Sequence, residues 1–120
     1  MARPLILVVD DSELLLDISQ TALEHAGYRT LGARTVAQLE QRLAGESVDL
    51  ILLDVQMPEL FGNDLVGVLR SRGVGAPIYL YSCLDDVELE ALATAAGAAG
   101  YISKSDGLAS LVQRVRAALM

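Results

Sequence analysis

Three carboxylates, a hydroxyl and an ammonium stand directly behind short apolar runs in this chain. Asp10 and Asp11 follow Leu5-Ile6-Leu7-Val8-Val9, and Asp54 follows Leu50-Ile51-Leu52-Leu53. Ser82 follows Ile78-Tyr79-Leu80-Tyr81, and Lys104 closes Tyr101-Ile102-Ser103. If such runs are parallel strands of one open sheet, ligands bind beyond their carboxyl ends, and these side chains meet at one edge. Two unit charges about 4 Å apart repel by roughly 4 kcal/mol at an effective dielectric near 20. Three ionised carboxylates in one pocket therefore need a cation, or one of them stays protonated. A hard divalent ion answers this: Mg2+ favours carboxylate, water and phosphate oxygens. Zinc is not expected, because the one nearby thiol, Cys83, does not make a zinc donor set. A carboxylate facing Mg2+ and a lysine is in turn a nucleophile that can take a phosphoryl group as an acyl phosphate. The metal and Lys104 would neutralise the transferring group, and Ser82 would donate a hydrogen bond to one of its oxygens.

The elements that must position these groups are legible as an alternation. The runs ending at Val9, Leu53 and Tyr81 are apolar nearly throughout, as strands covered on both faces are. Tyr28-Arg29-Thr30-Leu31 is more polar and suits a sheet edge. Between the runs lie helical patterns. Residues 13–26 place Leu15, Ile18, Ala22 and Ala26 on one stripe, with Ser12 as N-cap and Gly27 as stop. Residues 36–44 open with a capping box of Thr35 and Gln38 and end at Gly45. Residues 63–72 stop at Gly73, and residues 86–96 stop at Gly97, with Ser82 a candidate cap for the latter. The last helix carries Leu108, Leu111, Val112, Val115, Ala118 and Leu119 at i, i+3, i+4, i+7 spacing. Five strands alternating with five helices give an α/β fold, a doubly wound parallel sheet in a single domain over 1–120.

Composition narrows the function. With 16 acids against 9 basic residues, the net charge is −7, and no Lys/Arg cluster exists to grip nucleic-acid phosphates. A single cysteine forms no internal disulfide, and no basic segment followed by a long apolar one opens the chain. The apolar runs are too short to span a bilayer. The expectation is a soluble, cytoplasmic domain without membrane or direct nucleic-acid partners.

The motifs in order resemble the receiver domain of two-component response regulators, the chemotaxis-regulator type, over essentially the whole chain. They are Val8-Val9-Asp10-Asp11, Leu53-Asp54-Val55-Gln56-Met57-Pro58 with Gly62 beyond, Tyr81-Ser82, and Gly100-Tyr101-Ile102-Ser103-Lys104. The resemblance implies strand order 2-1-3-4-5 and Asp54 as phosphoacceptor. It implies Asp11 as a direct Mg2+ ligand, Asp10 acting on the metal through water, and the Gln56 carbonyl completing the set. Ser82 matches the switch hydroxyl, Tyr101 the aromatic that follows it, and Lys104 the charge-pairing lysine. The implied partners are a sensor histidine kinase or phosphotransfer protein as donor, and a downstream effector protein or domain. The implied output face is the fourth helix, fifth strand and fifth helix, which can also form a phosphorylation-dependent homodimer. Such a domain is not an enzyme acting on others; it assists its own phosphorylation and slow dephosphorylation.

Two positions depart from the pattern. Ser105 stands where proline usually follows the lysine in a cis peptide, which predicts a trans loop and a less rigid Lys104. Cys83 stands where a small residue gives the phosphoryl group access; it reads as a small buried hydrophobe whose bulk slows transfer. Tyr79 and Tyr81 read as core tyrosines needing hydroxyl partners, and His25 as surface. The missing proline leaves an alternative open: a binding module that no longer uses phosphorylation. A haloacid-dehalogenase-like phosphatase wants a second acid where Gln56 stands. A flavin carrier wants a phosphate-cradling loop where Asp10-Asp11 would repel it.

Overall fold

Strands that are apolar on both sides must be covered on both sides, and that requirement sets the architecture. The computed structural model describes residues 3–56 and 62–120. Its strands are β1 (Leu5–Val9), β2 (Arg29–Ala33), β3 (Leu50–Leu53), β4 (Ile78–Ser82) and β5 (Gly100–Ser103). Its helices are α1 (Glu13–His25), α2 (Val36–Gly45), α3 (Gly62–Ser71), α4 (Asp86–Ala96) and α5 (Gly107–Ala118). All strand pairs are parallel, in the order β2-β1-β3-β4-β5. The polar run is an edge, as expected. Alternate residues of β1 serve opposite faces. Leu7 and Val9 pack with Leu39 of α2, Leu65 and Leu69 of α3 and Leu89 of α4. Ile6 and Val8 pack with Leu16 and Leu23 of α1 and Leu111 and Val115 of α5. Each Leu or Ile taken fully out of water contributes about 1.5–3 kcal/mol, so the sheet is fixed from both sides.

The chain leaves β1 toward β2, then returns past β1 to lay down β3 and the rest. The crevice beyond the carboxyl ends of β1 and β3 is therefore the point where winding reverses. Asp10 and Asp54 emerge there.

Local detail differs from expectation in several places, each for a physical reason. The second strand runs on through Gly32 to Ala33, paired with Val8 and Val9. Gly32 fits inside a strand because the Gln20 amide lies over it: a Cβ there would come within 2.6 Å of Gln20 Oε1. The capping interaction of α2 closes further back than a regular box. Thr35 Oγ1 accepts the Gln38 N–H at 3.1 Å, but Gln38 Oε1 accepts from the N–H of Arg34 at 2.7 Å. Asp85 rather than Ser82 caps α4, its carboxylate accepting the Glu88 N–H at 2.9 Å. Leu108, on the α5 stripe, remains 42% exposed.

The stripe of α1 is displaced by one residue. Leu16, Ser19 and Leu23 are buried, while Leu15 and Ile18 are each 39% exposed. Ser19 faces inward because its hydroxyl shares a 3.3 Å hydrogen bond with the buried Tyr81 hydroxyl, which supplies the partner that a core tyrosine needs. Tyr81→Phe is expected to cost about 1 kcal/mol in urea unfolding, because Ser19 is left buried without its partner. The double change with Ser19→Ala should cost less than Tyr81→Phe alone; a larger loss in the double would contradict the pairing.

Candidate functional site

The sheet's own ladder carries the two central acids. The Asp10 N–H donates to the Ala33 carbonyl and the Asp54 N–H to the Val9 carbonyl, both at 3.0 Å. Their backbones are thus held as strand while their side chains stand past the last apolar residue. Each carboxylate also accepts an N–H two residues on, from Ser12 to Asp10 Oδ1 and from Gln56 to Asp54 Oδ1, both at 3.0 Å. Aspartate favours such turns and they fix its orientation. Carboxylate oxygens of Asp10, Asp11 and Asp54 lie within 4.8 Å of one another. Asp10 and Asp54 are 1% and 5% exposed, whereas Asp11 faces solvent. Lys104 completes the cluster. Its Nζ donates to Asp10 Oδ2 at 2.5 Å, lies 3.7 Å from Asp54 Oδ2, and sits 5.2 Å above the Tyr81 ring.

One ammonium does not balance three carboxylates. Burial pushes the Asp54 carboxyl above its ordinary range. The Gln56 N–H and Lys104 oppose that, while the charges of Asp10 and Asp11 add to it. For Lys104, burial works downward, but the hydrogen bond it donates to Asp10 and the charges of Asp54 and Asp10 hold it above the usual lysine value. The ammonium is committed chiefly to Asp10, so Asp54 remains under-compensated. Hard oxygen donors with surplus negative charge, one of them open to water, fit Mg2+.

The remaining expected residues divide. Ser82 is fully buried, its hydroxyl donating to Gln56 Oε1 at 3.5 Å and accepting the Leu84 N–H at 3.4 Å. It therefore reaches the acid cluster through Gln56. Tyr101 is not brought to the acids. It is half-buried against the cluster that packs α2, α3 and α4 on the sheet. Cys83 is exposed rather than buried, because it stands one residue past β4, where the chain has left the core. It lines a groove of about 230 Å3 with Lys104, Leu15 and Leu108. His25 is exposed, as expected. Met57 and Pro58 of the second motif lie outside the described residues.

The loop after Lys104 holds a surprise. Among the described residues every peptide bond is trans, as the serine predicts, and side chains tie the segment down. Ser103 Oγ accepts the Ser105 N–H at 3.2 Å and starts a 3-10 turn over Lys104–Asp106. The lysine side chain is only 9% exposed. A serine cap holds the backbone here and the acid pair holds the lysine side chain.

Sequence reasoning missed two arginines. The Arg34 guanidinium reaches the Asp11 carbonyl, with Nε and Nη2 each at 3.4 Å, and tethers the loop that carries this acid. Because β2 extends to Ala33, Arg34 is the first polar residue past its end, so the rule that found the others would have found it too. Arg114 of α5 contacts Tyr101; nothing in the sequence signals it.

The order 2-1-3-4-5, with these acids at the reversal, defines a class: the receiver domains of two-component signalling. The family model described as a response regulator receiver domain matches residues 6–116, and the chain belongs to that family. Solved structures agree. Chemotaxis protein CheY4 of Vibrio cholerae superposes with a TM-score of 0.89 at 25% identity, covering 98% of this chain and all 100% of that one. DrrB of Thermotoga maritima, an OmpR/PhoB homologue, gives 0.78 at 26% identity over 95% of this chain and 51% of its own. Among curated relatives, the probable transcriptional regulatory protein TcrX of Mycobacterium tuberculosis is 31% identical over 95% of this chain and 49% of its own length. Response regulator MprA of Mycobacterium ulcerans is 33% identical, with the same two coverages of 95% and 49%. The chain spans about half the length of these curated relatives. Among the described residues, no helix is long and apolar enough to cross a membrane.

Proposed function

We propose that this chain is a phosphorylation-controlled switch, one receiver unit over 1–120, in which Asp54 accepts a phosphoryl group from a phosphohistidine. The observation that carries the proposal is the convergence of Asp10, Asp11 and Asp54 within 4.8 Å beside a buried lysine. An Asp54 carboxylate oxygen forms the new bond to phosphorus as the bond to the imidazole nitrogen breaks, the electron pair leaving with the imidazole. Slow attack of water later returns the carboxylate and inorganic phosphate. Asp11 would hold Mg2+ directly, Asp10 through water, with Asp54 and the Gln56 carbonyl completing the protein ligands. When bound, that ion neutralises charge on the phosphoryl oxygens. Lys104 does the same from the protein side.

Ser82 is held by two long contacts, donating to Gln56 Oε1 at 3.5 Å and accepting the Leu84 N–H at 3.4 Å, so turning its hydroxyl to a phosphoryl oxygen costs little. Tyr101 then moves inward, and the face made by α4, β5 and α5 changes its partner: a downstream effector protein or domain, or a second copy of the chain. The donor is a sensor histidine kinase or phosphotransfer protein, and the setting is cytoplasmic. Some relatives are named as transcriptional regulators. At a net charge of −7, any link from this chain to DNA runs through another domain or protein. Cys83, exposed beside the groove that Lys104 lines, modulates access to the site. The alternative, binding without phosphorylation, drew its only support from the missing proline, and Lys104 is held without it.

Mg2+ with beryllofluoride mimics the acyl phosphate and tests the proposal by amide NMR. Shifts are expected at Asp11, Asp54, Ser82, Tyr101 and Lys104, lost in Asp54→Asn. An unchanged spectrum would favour the phosphorylation-independent module.

A further inference from the structure

β5 is an edge strand, so a carbonyl on its outer side must find a donor other than a neighbouring strand. The Tyr101 carbonyl finds Arg114 of α5, whose Nη2 donates to it at 2.7 Å. The same guanidinium lies with its Cζ 5.8 Å from the centre of the Tyr101 ring, inside the roughly 6 Å range of a cation–π contact. The ring packs on the face that carries α4, whereas Arg114 comes from a helix on the opposite face. The arginine therefore reaches round the sheet edge and grips strand and ring at once.

We infer that Arg114 is a positioning residue that holds the Tyr101 ring in its half-exposed resting place and so sets the balance of the switch. This rests on the reading of Asp54 and Tyr101 given above. The two contacts respond differently when the ring moves. The carbonyl bond belongs to the backbone of β5 and survives. The cation–π contact belongs to the ring and is lost. Arg114 thus favours the resting position by the ring contact alone, which at an exposed site corresponds to about a two- to fivefold bias. Removing that bias enlarges the competent fraction and tightens any ligand selective for the inward ring by the same factor.

The test uses the full chain labelled with 3-fluorotyrosine, the Tyr101 resonance being assigned through Tyr101→Phe. Arg114→Gln retains a donor for the carbonyl but has no charge; Arg114→Lys retains the charge. Without ligand, the Tyr101 resonance of Arg114→Gln should move toward its position in the beryllofluoride-saturated wild type. That of Arg114→Lys should stay near the resting position. With Mg2+ present, half-saturation by beryllofluoride should fall two- to fivefold in Arg114→Gln only. A wild-type resonance and half-saturation in Arg114→Gln, or equal shifts in both variants, would overturn the inference. If beryllofluoride leaves the wild type unchanged, the phosphoryl reading fails instead; an unliganded Tyr101 shift in Arg114→Gln that Arg114→Lys lacks then still supports the ring contact, and its absence overturns it.

Discussion

Lys104→Met is expected to weaken the fold by about 3 kcal/mol in metal-free buffer at pH 7, with Mg2+ restoring much of the loss. Removing one partner of a buried ion pair typically costs about 3–5 kcal/mol, because the other charge is left uncompensated. Here two buried carboxylates, Asp10 and Asp54, lose the ammonium that sits 2.5 Å and 3.7 Å from them. The lower end of the range applies because Asp11 opens one side of the pocket to water. Methionine keeps most of the apolar stem, so packing over Tyr81 survives and the change isolates the charge. A divalent ion that binds only the folded state stabilises it by mass action, and it binds the variant more tightly because no ammonium competes. Urea titrations in EDTA and in Mg2+ measure both effects. A loss below about 1 kcal/mol in EDTA would mean that Lys104 does not balance the acids.

The second large effect has the opposite sign. Asp54→Asn is expected to raise stability at pH 7 in EDTA by about 0.5–2 kcal/mol, the range common for single stabilising substitutions. The Asp54 carboxyl is displaced upward, first by burial and then by the charges of Asp10 and Asp11. A carboxyl with a raised folded-state pKa binds protons more readily in the folded protein than in the unfolded chain. Ionised Asp54 therefore costs stability at neutral pH. That cost disappears as pH falls through the folded value toward the ordinary 3.8. Wild type and Asp54→Asn should converge as pH drops toward 4 and separate as it rises to 7. A separation that instead widens on acidification would contradict this electrostatic picture. Asparagine also lacks the nucleophile, so the stabler protein should be silent as a phosphoacceptor.

Much of the site was legible because the strands that carry it are covered on both faces. Buried strands end where the first polar residue appears, and Asp10 and Asp54 mark their ends without ambiguity. The edge strand β2 has no such contrast, and its Gly32 reads as a break although the Gln20 amide fills the space above it. Its true end is therefore not marked in the sequence. In α1 three consecutive leucines, Leu14, Leu15 and Leu16, fit more than one stripe. The deciding residue is Ser19, a polar side chain buried to serve Tyr81. Residue type favours burial of Cys83, but its position past β4 exposes it. Arg114 was invisible because its role depends on the sheet edge it reaches around. That edge is a property of topology rather than of any local pattern.

Intact-mass spectrometry after incubation with acetyl phosphate and Mg2+ tests the function of this pocket most directly. The wild-type chain is expected to gain the mass of one phosphoryl group, and to gain none when EDTA replaces Mg2+ or when Asp54 is asparagine. An adduct that persists in Asp54→Asn, or forms equally well in EDTA, would contradict Asp54 as a metal-dependent phosphoacceptor.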